Sequence, residues 1–239
     1  MTDKLKKVAL ITGGSGGIGS EVCKLLAKNN VKVFLTYFRN KKKAESIVKK
    51  IKKKGGYIVA KKMDISSLTS IKRTLNSFYK IEKKINILIN NSGISQIKPF
   101  QKISLEDWDK IININLKGPF FLTKYFLKNS KIRNWCRIIN ISSISGIKGG
   151  KLQIHYAITK AGLISLTKSL NNIYGKKNFT INAIAPGLIN TPMIKKEIKI
   201  KKKNKIKIGK IKESKEISKI ILRIISQKYK KKTGIIFKV

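Results

Sequence analysis

The chain has 239 residues, 41% of them hydrophobic, and carries 55 Lys and Arg against 11 Asp and Glu, a formal charge of +44. That supports a substantial core, and no apolar run reaches the roughly 18 residues of a membrane span, so a soluble, cytoplasmic protein with no membrane contact is expected. Cys23 and Cys136 lie far apart and form no Cys-x-x-Cys, which argues against a disulfide framework and a zinc site, and no metal is expected.

Only five basic residues are Arg (39, 73, 133, 137 and 223), and the lysines run from residue 4 to residue 238. Abundant Lys, Ile and Asn with only eight Ala point to AT-rich codon usage rather than to a selected binding groove. A nucleic-acid surface concentrates Arg and aromatic residues on one element, so that partner is disfavoured.

In chain order, Val8–Thr12 is a short buried strand that enters Thr12-Gly13-Gly14-Ser15-Gly16-Gly17-Ile18-Gly19, and a helix follows over Gly17–Asn29. Four apolar residues before the glycines are too few for a signal-peptide core. Strand, glycine turn and helix in that order form a phosphate cradle: the glycines let phosphate oxygens approach main-chain N–H groups, and the helix start adds unpaired donors. Further strands are expected at Val31–Thr36, Tyr57–Lys62, Ile85–Asn90, Arg137–Ser142, Thr180–Ala185 and Ile235–Val239. Helices are expected at Lys41–Lys54, Leu68–Lys80, Leu105–Asn129, Tyr156–Tyr174 and Lys215–Ser226, with Ser104 as the cap of the fourth. The alternation gives an α/β fold: one Rossmann-like, doubly wound parallel sheet of about seven strands with helices on both faces. No linker divides the chain, so residues 1–239 are expected to form one domain, with the Lys/Ile-rich stretch 194–212 as a mobile loop or a helix within it.

Tyr-x-x-x-Lys occurs four times, at Tyr37/Lys41, Tyr57/Lys61, Tyr79/Lys83 and Tyr156/Lys160, and in so Lys-rich a chain the spacing carries little alone. Only Tyr156 opens a long helical pattern, and only it follows a strand ending in Ile141-Ser142-Ser143. His155, the sole histidine, precedes it, either facing a substrate or as an incidental helix-start residue.

Thr12–Gly19, Asp64, Asn90-Asn91-Ser92-Gly93, Asn115, Ser143, Tyr156 with Lys160, and Pro186-Gly187 followed by Thr191 together resemble the short-chain dehydrogenase/reductase family over nearly the whole length. Within it, Leu88–Ile94, Asn113–Leu116, Tyr156–Ser169 and Ile181–Gly187 are most similar to bacterial 3-oxoacyl-[acyl-carrier-protein] reductases and acetoacetyl-CoA reductases. The resemblance implies an oxidoreductase of fatty acid synthesis. Tyr156 would donate a proton, Lys160 lower its pKa, Ser143 orient the carbonyl and Asn115 hold a water for proton resupply. It also implies a nicotinamide dinucleotide held by Gly13, Ser15, Gly16, Gly17, Ile18 and Gly19. Asp64 would meet the adenine, Asn90 and Gly93 the adenosine ribose, and Pro186, Gly187, Ile189 and Thr191 the nicotinamide, beside Tyr156 and Lys160.

The second strand ends in Thr36-Tyr37-Phe38-Arg39-Asn40, where an NAD site would place an acid for the ribose hydroxyls. Arg39 without an acid favours NADP(H); Gly16, where many such reductases carry Arg, leaves NAD(H) open. The family implies acyl carrier protein as substrate carrier and a homo-oligomer, tetramer or dimer, although the family's usual Asn-Gly-Gly tail does not follow Val239. Residues 194–212 occupy the substrate-lid region. Reduction of another carbonyl (acetoacetyl-CoA, a sugar or a polyol) and a non-catalytic dinucleotide- or nucleic-acid-binding role are the competing readings.

Overall fold

A computed structural model of the protein describes residues 7–129, 135–176, 178–194, 198, 200, 208–226 and 232–239. The elements are β1 (Val8–Ile11), α1 (Gly17–Lys28), β2 (Lys32–Tyr37), α2 (Lys41–Lys52), β3 (Ile58–Lys62), α3 (Leu68–Tyr79) and β4 (Ile87–Asn90). There follow α4 (Leu105–Ile112), α5 (Gly118–Asn129), β5 (Cys136–Ile141), α6 (Ser145–Lys148), α7 (Ile154–Tyr174) and β6 (Phe179–Ala185). The chain closes with β7 (Leu188–Ile189), β8 (Ile211–Lys212), α8 (Ser214–Ile224) and β9 (Ile236–Lys238). Seven strands form one sheet in the order β3-β2-β1-β4-β5-β6-β9, and β7 pairs with β8 apart from it. Every pairing in the large sheet is parallel.

A parallel sheet covered on both faces buries every residue of its central strands, which is why Val8–Ile11 and Ile87–Asn90 read as unbroken apolar runs rather than alternating ones. Ala9, Ile11, Val33, Leu35, Ile87 and Ile89 face α1, α2 and α8 through Val22, Leu26, Ile47, Ile217 and Ile221. Val8, Leu10, Phe34, Leu88 and Ile138 face α3 and α5 through Ile71, Leu75, Phe78, Leu122 and Phe126. Below the second face, Asn90 Nδ2 donates to Thr123 Oγ1 (2.9 Å) and to Asn140 Oδ1 (2.8 Å), and Asn140 Nδ2 donates to Thr167 Oγ1 (2.8 Å). This buried ladder fixes α5 and α7 against adjacent strands.

Two expectations need correction. The helix expected over Leu105–Asn129 is interrupted by one π-helical turn, Asn113–Lys117, between α4 and α5. Its inserted residue lets Asn115 point inward, and Gly118 passes so close to Ile65 that a Cβ would stand 2.3 Å from the Ile65 carbonyl oxygen. Second, α7 begins at Ile154, not at Tyr156, and the short α6 precedes it. Within the stretch 194–212, Ile194 is buried and Ile211–Lys212 form β8, while residues 195–197, 199 and 201–207 lie outside the described residues. Among the described residues no helix is long and apolar enough to cross a membrane.

Phe34 of β2 and Phe78 of α3 stack with ring centroids 4.6 Å apart, both fully buried. Phe78→Ala is expected to cost about 3–5 kcal/mol, read as a lower urea midpoint at an unchanged m-value.

Candidate active site

The chain leaves β1 toward β2 on one side and returns to β4 on the other, so the carboxyl ends of β1 and β4 open a crevice at the topological switch point. The loops after these two strands are spliced together. Main-chain N–H groups of Asn91 and Ser92 both donate to Thr12 Oγ1 at 2.9 Å. The Asn91 amide donates to the carbonyl oxygens of Thr12 (2.8 Å) and Gly13 (3.2 Å). Gly13 has φ +62°, and a Cβ on Gly19 would stand 2.4 Å from the Gly13 carbonyl oxygen. Both positions therefore demand glycine.

Gly16 caps α1 with no side-chain hydrogen bond, and the first turn carries no acid. The N–H groups of that turn are donors left for an anion, reinforced by the helix dipole. Ser15 is buried behind them and Gly17 and Ile18 start the helix. A Cβ on Gly17 would stand 2.5 Å from Thr191 Cγ2, so Thr191 lies directly over the glycine turn. Its segment is held by β7, where Ile189 is buried, and by Asn190, whose amide donates to Glu213 Oε1 at 2.9 Å. Pro186 accepts from the Ile144 N–H (2.9 Å), which fixes the loop after β6 against that after β5, and Gly187 donates to the carbonyl of Val239 (2.8 Å), which ties the same loop to the end of β9. An uncapped helix start roofed by glycines and Thr191 fits a dinucleotide pyrophosphate.

The catalytic candidates meet beyond β4 and β5. Lys160 is 4% exposed, and its ammonium donates to the Ile141 carbonyl at 2.9 Å. Burial pushes its pKa down to about 8. The ammonium lies 5.5 Å from the ring centroid of half-buried Tyr156, one helical turn earlier on the same face. Ser142 Oγ donates to the Lys160 carbonyl (2.7 Å), and a Cβ on Gly146 would stand 2.6 Å from the Lys160 carbonyl carbon. α6 and the end of β5 thus press on α7 at this residue. The missing Cβ of Gly93 leaves a point 3.3 Å from Asn115 Oδ1 and 3.4 Å from Lys160 Nζ. Asn115 is buried, its Oδ1 accepting from the Ile94 N–H and its Nδ2 donating to the Ile94 carbonyl, both at 2.8 Å, and to Thr159 Oγ1 at 3.3 Å. Ser143 is half-buried and its Oγ accepts from the Ser145 N–H (3.1 Å), closing the turn into α6.

Two of the expected cofactor residues also make side-chain hydrogen bonds within the protein. The Asn90 side chain is turned under the sheet into the Asn140–Thr123 ladder, away from the crevice, so only its main chain borders the site. Asp64 Oδ1 accepts from the N–H (2.9 Å) and hydroxyl (2.6 Å) of Ser66, a local turn, and the cap of α3 is Ser67. Arg39 is exposed at the end of β2, its guanidinium 5.8 Å from the Phe38 ring, with the Lys62 ammonium 6.0 Å from the same ring. Lys62, Ser142 and Thr159 carry no role in the sequence reading; Asn91 lies within the Asn90–Gly93 run, and Ser142 precedes Ser143 at the end of its strand, but the bonds they make are non-local. His155 is fully buried.

Residues 7–202 match the family model described as short chain dehydrogenase. A 3-oxoacyl-[acyl-carrier-protein] reductase of Aquifex aeolicus is 36% identical over 225 residues, covering 92% of this chain and 90% of the relative. An acetoacetyl-CoA reductase of Cupriavidus necator is 34% identical over 190 residues, covering 80% and 77%. The crystal structure of a dehydrogenase/reductase from Sinorhizobium meliloti superposes with a TM-score of 0.88 at 27% identity, covering 98% of this chain and 94% of that one. The protein belongs to the short-chain dehydrogenase/reductase family and is an NAD(P)-dependent oxidoreductase.

Proposed function

We propose that the protein reduces the C3 ketone of a 3-oxoacyl thioester carried on acyl carrier protein, with NADPH as reductant. The observation that carries the reaction class is the buried Lys160 ammonium under the Tyr156 ring at the mouth of the crevice. The nicotinamide, when bound, supplies the hydride that adds to C3. The oxygen then gains alkoxide charge, which the Ser143 hydroxyl stabilises by donating a hydrogen bond. Tyr156 gives that oxygen its proton and becomes a phenolate, favoured by the positive charge of Lys160. Asn115 keeps Ile94 and Thr159 in place around Lys160, and in this reading its surroundings carry the water that resupplies the proton. The Aquifex and Cupriavidus relatives support a β-ketoacyl thioester as substrate. The second of them also favours a coenzyme A thioester as the alternative carrier.

Arg39 and Lys62 flanking Phe38, with no acid at the end of β2, support NADPH over NADH, since a 2′-phosphate would meet two cations there. The exposed apolar residues Phe120 of α5 and Ile158 and Ile173 of α7 support a homodimer or tetramer joined through these helices. We further assign residues 1–239 to one cytoplasmic domain with 194–212 as its substrate lid.

Oxidation of NADPH, followed with acetoacetyl groups on carrier protein, coenzyme A and a small thioester, is expected to be fastest with the carrier and to fall by about 10²–10⁴-fold in Tyr156→Phe. Dinucleotide binding without turnover of any thioester would sink the assignment. Arg39→Glu is expected to raise the KM for NADPH by about tenfold or more and to leave that for NADH nearly unchanged.

Lys160 is charged below its lowered pKa of about 8 and neutral above it, so it stops stabilising the phenolate as pH rises. The reductive rate is therefore expected to fall through about pH 8, with an apparent pKa that belongs to the Tyr156–Lys160 pair. Lys160→Met should lose most of its activity below pH 8 and little of what remains above it.

A further inference from the structure

Outside the residues already given roles, one polar chain crosses three elements and ends beside Tyr156. His155 is fully buried, and its Nε2 lies 3.0 Å from Gln96 Oε1. The other end of the Gln96 amide, Nε2, donates to Asp107 Oδ1. Asp107 belongs to the first turn of α4, where its Oδ2 accepts from the Ser104 N–H (3.1 Å) in a capping box and pairs with the Lys98 ammonium. The Lys98 and Gln96 bonds hold its carboxyl well below the usual carboxylate range, so it is ionised at neutral pH.

An ionised carboxylate only accepts hydrogen bonds, so the nitrogen of the Gln96 amide must face Asp107 and its oxygen must face His155. The imidazole then has to carry its proton on Nε2. Burial lowers the imidazole pKa below its ordinary value, which keeps the ring neutral at pH 7 and makes its tautomer well defined. His155 Nδ1 is left as an acceptor with no hydrogen-bond partner among the described residues.

The start of α7 explains what this chain is for. Its capping residue, Gln153, makes no side-chain cap hydrogen bond to the helix and donates instead to Ser95 Oγ at 3.1 Å. Ile154, His155 and Tyr156 form the first turn, so the proton donor sits on the least secured part of its helix. The loop after β4 supplies the missing restraint through Gln96, and Lys98 adds a main-chain bond from its N–H to the Leu152 carbonyl (3.0 Å).

We propose that Gln96, its amide orientation set by Asp107, holds His155 as the Nε2–H tautomer and thereby positions Tyr156 for proton transfer. Gln96 and His155 are positioning residues, and the kinetic part of this inference rests on the reductase reading above.

His155 is the only histidine of the chain, so its ring nitrogens give the only imidazole signals in a ¹⁵N spectrum of the full-length protein. The expected spectrum at pH 7 is a neutral ring protonated at Nε2, turning into a tautomer mixture in Gln96→Leu. A ring protonated at Nδ1, or one unchanged in Gln96→Leu, overturns the proposal. The Ala157 N–H donates to the Gln153 carbonyl at 2.8 Å and reports on the first turn of α7. Its hydrogen exchange is expected to be about tenfold faster or more in His155→Leu and near wild type in His155→Gln, whose amide replaces the Nε2 donor. Equal exchange in all three overturns the proposal without any assay of turnover. On the thioester, His155→Leu is expected to lower kcat by about 10–100-fold with the KM for NADPH unchanged, and His155→Gln to restore it. A wild-type protein inactive on every thioester would count against the substrate reading, and the tautomer and exchange results would still decide the role of the chain.

Discussion

The burial of one ammonium organises the site. Lys160 has almost no exposed surface, and a buried cation must find acceptors or lose its charge. Its acceptor is the Ile141 carbonyl, available because β5 ends there and the chain turns into α6. That requirement fixes α7 against the carboxyl end of β5, and Ser142 reinforces it by donating to the Lys160 carbonyl. Gly146 follows from the same constraint, because a Cβ there would stand 2.6 Å from the Lys160 carbonyl carbon. Tyr156 is then placed one helical turn from a buried cation, its ring centroid 5.5 Å from the ammonium.

The crevice for a dinucleotide depends on a different economy of groups. Donors at the start of α1 are left without a side-chain cap, while several polar groups of the rim are engaged elsewhere. Thr12 and Asn91 spend their side chains on each other's loops, and Asp64 spends one oxygen on Ser66. The result is a rigid rim around an open set of N–H groups, so an anion meets donors that need no rearrangement.

Much of this was legible in the residues because the signals were local. A glycine turn between an apolar run and a helix is a contiguous pattern, and six βα alternations leave few topologies open. What stayed hidden was non-local or lacked a period. In a parallel sheet buried on both faces nothing in the sequence says which way a strand residue points, so nothing in it marks that Thr123 and Asn140, 33 and 50 residues away, hold the side chain of Asn90 beneath the sheet. The π-turn at Asn113–Lys117 inserts one residue into a helix without changing its composition, which a 3.6-residue period does not register. The two-residue strands β7 and β8 exist only as a pairing with each other, 23 residues apart at Leu188 and Ile211. The Gln96–His155 contact spans 59 residues and joins two amphipathic side chains that either face of a helix or loop could have exposed.

The charge of +44 invites the view that electrostatics dominate this protein, yet distance separates two effects. At physiological ionic strength charges more than about 8 Å apart in solvent are largely screened from one another. The surface lysines therefore act on a phosphorylated ligand during approach, raising its encounter rate in proportion to how little salt is present. They do not set the chemistry of Lys160, whose lowered pKa has desolvation as its cause. A lysine-rich surface and a site governed by burial can coexist because they are coupled only through solvent. The same residue type thus serves at many solvated positions as a weak, screened field and at one buried position as a charge whose environment is specified atom by atom.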